Sequence, residues 1–283
     1  MHINNINDNL KVRFNYNSIG DTLGISAVAE KYYDIAKKPL DVYVEWKELF
    51  FNNPCVNVYD ILNAPHDAID LNPCTLYDCN IVKNFANQLN IPPDNLKPKI
   101  YLTDAEKDYA SDTLAPWSNK KYKIIVCLNA SADSRSIRYD IIAPMLIKLK
   151  NEIDCSIFLI GNVNVLIKDE YNVFDKQFHK TTIRECSSLI SNCDVYVGAD
   201  TGPSHVAAAL NIPQVVFYRN CGCHLNAYDD TYHVESKIKC SGDCLLPCCD
   251  VCYKLIRCID YMPLDVYFNL TINALKIQES NNS

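Results

Sequence analysis

Residues 193–218, CDVYVGADTGPSHVAAALNIPQVVFY, place an apolar run, a Gly- and Pro-containing turn, an alanine-rich segment and a second apolar run in direct succession. CDVYVGAD reads as a buried strand, PSHVAAALN as a helix of small side chains, and IPQVVFY as the next strand. Two strands joined through a helix are parallel neighbours, because antiparallel strands need only a short hairpin. Parallel sheets are buried on both faces, so this stretch alone argues for an α/β fold with helices on both sides.

The same alternation runs through the whole chain. KVRFNYN (11–17) reads as a strand and TLGISAVAEKYYDIAK (22–37) as a helix, with apolar positions recurring at three and four. LDVYVEW (40–46) and NVYDIL (57–62) are short strands, and NIVKNFANQLN (80–90) is a helix stopped by Pro92 and Pro93. KYKIIVCLN (121–129), YDIIAPMLIKLKNEI (139–153), CSIFLIG (155–161) and TIRECSSLISN (182–192) continue as strand, helix, strand and helix. Pro144 either kinks its helix or moves the start later. Pro, Ser and Asn interrupt the pattern at TLAPWSNKKY (113–122), so the reading is two Rossmann-like domains, 1–118 and 119–283.

Composition narrows the function classes. The formal charge of −7 over 283 residues argues against non-specific nucleic-acid binding. MHINNINDNL lacks the apolar core of a signal peptide, and no run reaches the roughly 18 apolar residues of a spanning helix. The expectation is a soluble cytoplasmic protein with at most peripheral membrane contact.

The turn at 200–205 lies at the carboxyl end of a strand, where open α/β sheets bind ligands. Asp200 or Thr201 caps the following helix, Pro203 suits its first turn, and Gly202 lets a ligand approach the backbone. Exposed amides and the helix dipole then favour an anion such as a pyrophosphate, with His205 one turn in as a further donor. A tight, well-capped turn with no ligand fits the same residues. Thr182 and Glu185 have capping-box spacing, which is a structural role.

GADTGPSHVAAALNIPQVVFY, with TTIRECSSLISNCDVYV before it, resembles the signature of glycosyltransferase family 9, which includes the heptosyltransferases of lipopolysaccharide core assembly. VRFNYNSIGDTLGISAVAEKY resembles the opening strand, Gly-Asp turn and helix of that family. IIVCLNASADSRSIRYDIIAPMLIKL resembles the first strand and loop of its second half. The resemblance implies a GT-B architecture, with the two domains facing across a cleft and the final helix returning to the N-terminal half. It also implies an inverting, metal-independent transfer from a nucleotide sugar, ADP-heptose above others, to a hydroxyl on a glycan, lipid or protein.

Residue by residue, Gly20 and Asp21 match the Gly-Asp turn, and Asp21 takes the role of general base toward the acceptor hydroxyl. Read from the residues alone, Asp21 is equally a helix N-cap. Arg138 is the nearest match to a basic residue beside an aromatic one, with Arg135 also available, and its fork suits a phosphate. Asn129 and Ser131 close the same loop, either as phosphate contacts or as turn residues. Asp200, Thr201, Gly202 and His205 complete the donor site.

The chain carries 15 cysteines, and six of them fall in 240–258 with the spacing C-x₃-C-x₃-C-C-x₂-C-x₅-C. This is read as a Cys-rich insertion near the C-terminus. Cys240, Cys244, Cys249 and Cys252 form a candidate tetrahedral thiolate set for structural zinc or iron. Free thiols or disulfides fit the same pattern. The isolated cysteines elsewhere read as core residues. Two other readings stay open: a transferase using another nucleotide sugar, and a non-catalytic nucleotide-sugar-binding or assembly protein with a metal finger.

Overall fold

The computed structural model describes residues 9–73, 80–131, 135–161, 167–218, 227–228, 231–236 and 258–282. The chain divides into two compact units, Met1–Thr103 and Asp104–Ser283.

The first unit holds a four-stranded sheet in the order β3-β2-β1-β4. Its strands are β1 (Lys11–Phe14), β2 (Leu40–Val44), β3 (Val56–Asp60) and β4 (Ile69–Asp70), all parallel. Side chains alternate along β1, so Val12 and Phe14 are buried while Lys11 and Arg13 pair with Asp67 and Asp70. Helices α1 (Ile19–Ala36) and α2 (Ile81–Gln88) pack together, and Phe85 meets Phe14 edge to face at 5.6 Å. A Cβ on Gly24 would lie 3.3 Å from Val82, so glycine permits the close approach of α1 to α2. Lys37 ends α1 in the left-handed conformation, φ 56°.

The second unit holds a six-stranded, wholly parallel sheet in the order β10-β9-β8-β5-β6-β7. In chain order these are β5 (Tyr122–Cys127), β6 (Cys155–Ile160), β7 (Lys176–Phe178), β8 (Val195–Ala199), β9 (Gln214–Tyr218) and β10 (Thr231–Glu235). One face packs under α4 (Tyr139–Glu152) and the final helix α7 (Leu264–Asn282), with Ile142, Leu146 and Tyr267 set against Val126, Val197 and Val215. α5 (Ile183–Ser191) and α6 (Gly202–Ala209) pack on each other, and α6 lies on β8 and β9. Helix α4 runs through Pro144 from Tyr139, so the proline does not delay its start.

The division between units falls after Thr103, ahead of the seam expected at 118. The reason is α3 (Asp104–Leu114), which packs on α5 of the second unit. Arg184, whose side chain is 10% exposed, makes two 2.7 Å bonds to Glu106, a bidentate clamp from α5 to α3. The capping box on α5 forms as its spacing requires. Thr182 Oγ1 accepts from the Glu185 amide at 3.1 Å, and Glu185 accepts from the Thr182 amide at 2.7 Å.

The isolated cysteines Cys55, Cys127, Cys155, Cys186 and Cys193 are buried. Burial pushes the thiols of Cys127 and Cys186 up to about 12 and those of Cys55 and Cys155 up to about 11. They are neutral packing residues at physiological pH. The segment 240–257, with Cys240, Cys244, Cys249 and Cys252, lies outside the described residues.

Candidate functional site

In the second unit β5 has β6 on one side and β8 on the other, so the connections leave it in opposite directions. This is a topological switch point, and the crevice at the carboxyl ends of β5 and β8 is where such a sheet receives a ligand. The two strands meet closely there. Gly198 pairs with Cys127, and a Cβ on Gly198 would come within 2.2 Å of the Cys127 carbonyl oxygen. Only glycine fits. Tyr267 reaches up from α7 and shares its hydroxyl proton between the carbonyls of Gly198 (2.8 Å) and Val215 (3.2 Å), which fixes the end of β8.

Beyond the Cys127–Gly198 pair, the loops after β5 and β8 converge. Arg135 donates to Ser131 Oγ at 2.8 Å and to the Asp200 carbonyl at 3.4 Å. The β5 loop is closed beneath it by Ile137 N–H to Leu128 O (2.8 Å) and by Ala130 N–H to Ser136 Oγ (3.0 Å). Asn129 lies beside Gly161 at the end of β6, with its side-chain nitrogen 3.6 Å from the position a Cβ would take there.

Across the crevice, Thr201 is the N-cap of α6 and Gly202 its first residue. Ser204 Oγ accepts from the Thr201 amide (3.2 Å) and donates to the Thr201 carbonyl (2.7 Å), which braces the turn. No acidic side chain sits in the first turn of α6. His205 is buried between two partners: its Nδ1 lies 2.8 Å from the Tyr228 hydroxyl, and its Nε2 lies 3.7 Å from an Asp200 carboxylate oxygen. The first turn of α6 thus carries no acid, Arg135 approaches from the β5 loop, and the Asp200 carboxylate just before the helix lies by His205, an arrangement that offers amides and a cation to an anion.

Arg138 is not part of this arrangement. It is the N-cap of α4, and its guanidinium pairs with Asp140 at 2.5 Å, both side chains more than half exposed. Ile137, 3% exposed, is the anchor, and the two arginines flank it one and two residues away. Among the described residues, Arg135 is the cation that the structure brings to the switch point.

In the first unit, Gly20 and Asp21 lie in the first turn of α1, at the carboxyl end of β1. The N-cap is Ser18, not Asp21: Ser18 Oγ accepts from the Asp21 amide at 3.4 Å, and Thr22 Oγ1 donates to the Ser18 carbonyl at 2.6 Å. Asp21 is therefore not the N-cap residue itself but lies in the first turn behind it. Gly20 is buried, and Asp21 is partly exposed.

The amino-terminal edge of the second sheet offers a different surface, a cavity of about 480 Å³ lined by Lys120, Lys150, Asp154 and Asp175. Lys120 pairs with Asp154 at 2.8 Å and Lys150 with Asp175 at 3.0 Å, and Glu152 adds a third acid to the lining. Among the described residues, no group of three or more His, Cys, Asp or Glu side chains is arranged to hold a metal ion. No helix among them is long and apolar enough to cross a membrane.

The profile of glycosyltransferase family 9 (heptosyltransferase) matches residues 79–232, more than half of the chain. The chain belongs to glycosyltransferase family 9. A Haemophilus influenzae protein described as a glycosyltransferase is 23% identical over 159 residues, and the chain spans 45% of that relative's length. Several solved structures share the fold. The Escherichia coli ADP-heptose lipopolysaccharide heptosyltransferase II aligns over 95% of this chain and 99% of its own, at 14% identity and a TM-score of 0.69. A Veillonella parvula member of the family aligns over 96% and 100%, at 11% identity and a TM-score of 0.75. The iron-containing, dodecameric E. coli glycosyltransferase TibC aligns over 97% and 81%, at 14% identity and a TM-score of 0.72. At such identities the likeness speaks for the fold, and the family 9 assignment rests on the profile.

Proposed function

We propose that this family 9 chain is an inverting glycosyltransferase that moves a sugar from a nucleotide sugar, ADP-heptose foremost, to a hydroxyl on a glycan, lipid or protein. The observation that carries the proposal is the convergence of Ser131, Arg135 and the start of α6 at the switch point of the second sheet. ADP-heptose as donor is supported by two proteins of the same fold, one described as an ADP-heptose heptosyltransferase and one solved with ADP-heptose.

In this reading the diphosphate sits against the α6 amides at Gly202, with the Arg135 guanidinium on its oxygens and Asn129, Ser131, Asp200, Thr201 and His205 around it. Asp21, beside Gly20, accepts the acceptor's hydroxyl proton as its oxygen bonds to the anomeric carbon. The bond from that carbon to the phosphate oxygen breaks on the opposite face, which inverts the centre. The leaving diphosphate gains negative charge, and Arg135 and the helix start stabilise it. Charge stabilisation is thus assigned to protein groups, and added divalent metal is expected to leave the rate unchanged. The cytoplasm and lipopolysaccharide assembly are the setting this reading implies. The cysteines of 240–258 are assigned a structural zinc or iron, for which metal analysis should return about one ion per chain.

The site is tested with ADP. ADP should raise the unfolding temperature of the wild type, and Gly202→Val should remove that rise while leaving the ligand-free melting temperature nearly unchanged. Equal protection of both proteins would refute the site.

A further inference from the structure

We infer that Tyr228 is a positioning residue of the anion site, setting the proton on the His205 ring through a hydrogen bond and thereby holding the β8–α6 turn. The inference rests on the nucleotide-diphosphate reading above.

His205 and Asp200 are 5% and 4% exposed, so what each ring nitrogen faces decides its state. Nε2 faces an Asp200 carboxylate oxygen at 3.7 Å. An ionised carboxylate only accepts, and a bare imidazole lone pair turned toward it in a buried site would be repelled. The proton therefore belongs on Nε2. In a neutral ring Nδ1 is then an acceptor, and the group 2.8 Å away is the Tyr228 hydroxyl, which donates to it. The two rings cross edge to face, 5.7 Å between centroids at 87°. Tyr228 is itself 8% exposed and is carried by the chain between β9 and β10.

The consequence reaches the ligand. Asp200 carries the carboxylate in the turn before α6, and its charge opposes an anion placed at Gly202. The Nε2–H dipole held toward it offsets that charge, while the Asp200 carbonyl receives Arg135 from the other side. Removing the Tyr228 hydroxyl leaves Nδ1 without this donor, so the proton is free to move to Nδ1 and turn the Nε2 lone pair toward the carboxylate. The turn then loses its fixed geometry.

The test compares wild type, Tyr228→Phe, His205→Gln and the double variant. Two readouts are used: ADP affinity by calorimetry, and the ring tautomer by ¹⁵N-resolved spectroscopy of the ligand-free protein. Wild type should show one tautomer, protonated on Nε2, and Tyr228→Phe a mixture with ADP affinity about tenfold weaker. In the His205→Gln background, Tyr228→Phe should have no further effect, since there is no ring to set. An unchanged tautomer with unchanged affinity in Tyr228→Phe would overturn the inference, as would an equal loss in both backgrounds. If wild type fails to bind ADP, the nucleotide reading falls instead, and the tautomer of the ligand-free proteins still decides the role of Tyr228.

Discussion

The two units begin a helix at the same place, just past the carboxyl end of a parallel strand, yet dress it with opposite chemistry. The α1 start carries Asp21 in its first turn and takes its cap from Ser18. The α6 start carries no acid in its first turn, and an arginine from the neighbouring loop bonds the carbonyl of Asp200 just before it. A helix dipole favours negative charge at both starts. In one the protein supplies the charge itself, and in the other it leaves the position to a ligand. In the proposed reading, the same backbone element serves as a proton acceptor in one unit and an anion site in the other.

The largest expected effect breaks this division on the acidic side. Asp21→Asn keeps the side chain's shape and its place behind Ser18 but cannot take a proton at neutral pH. Transfer should slow at least about 10²-fold while ADP affinity stays within about twofold of wild type. A wild-type rate in steady-state assays would return Asp21 to a structural role.

The next effect sharpens the boundary between the units. Glu106→Ala leaves the guanidinium of Arg184 without its bidentate partner in a mostly buried place. Breaking such a pair should cost about 2–3 kcal/mol, toward the lower end because Glu106 retains some solvent contact. Denaturant unfolding would show it as an earlier midpoint, with ADP affinity unchanged because the Glu106–Arg184 pair joins α3 to α5 and not to the α6 start.

A smaller effect follows from the buried thiols, which are more numerous in the second unit. Their folded values lie above the ordinary thiol value, so the native state keeps protons that the unfolded chain releases. Stability is then complete below about pH 9 and falls as pH rises toward the folded values of about 11 to 12. At pH 10 each such thiol should weaken the fold by on the order of 1 kcal/mol. Replacing Cys186 by Ser should flatten that slope between pH 8 and 10, and melting curves across that range would reveal an unaltered slope if the account is mistaken.

How much of this was legible in the sequence depends on how local the cause is. The Thr182–Glu185 capping box needs only residues three apart, and it forms as the spacing says. Strands such as β5, β6 and β8 are continuous apolar runs, and each is found within two residues of its expected ends. Helix α3 escaped because only Ala110 and Leu114 of its eleven residues are buried, too few to mark a periodic face. The one local signal was Thr103-x-x-Glu106, the spacing of a capping box. With α3 counted, the second compact unit begins at Asp104, ahead of the seam read at 118.

The site was legible in its turn and blurred in its partners. Gly202 and the α6 start followed from local chemistry, and Gly198 was already visible as a glycine in a buried strand. Tyr267 and Tyr228 act over 69 and 23 residues, which no spacing rule reaches. The choice between Arg135 and Arg138 turned on burial of Ile137 between the β5 loop and α4, a fact of packing and not of pattern.

That choice gives the most direct test of the central claim, that the crevice beyond β5 and β8 holds the nucleotide diphosphate. ADP affinity should be measured by calorimetry for wild type, Arg135→Ala and Arg138→Ala at one fixed salt concentration. The account predicts that Arg135→Ala binds about 10- to 100-fold more weakly, as befits a lost charged hydrogen bond, and that Arg138→Ala changes by less than about twofold. Loss of affinity in Arg138→Ala with Arg135→Ala unaffected would contradict it.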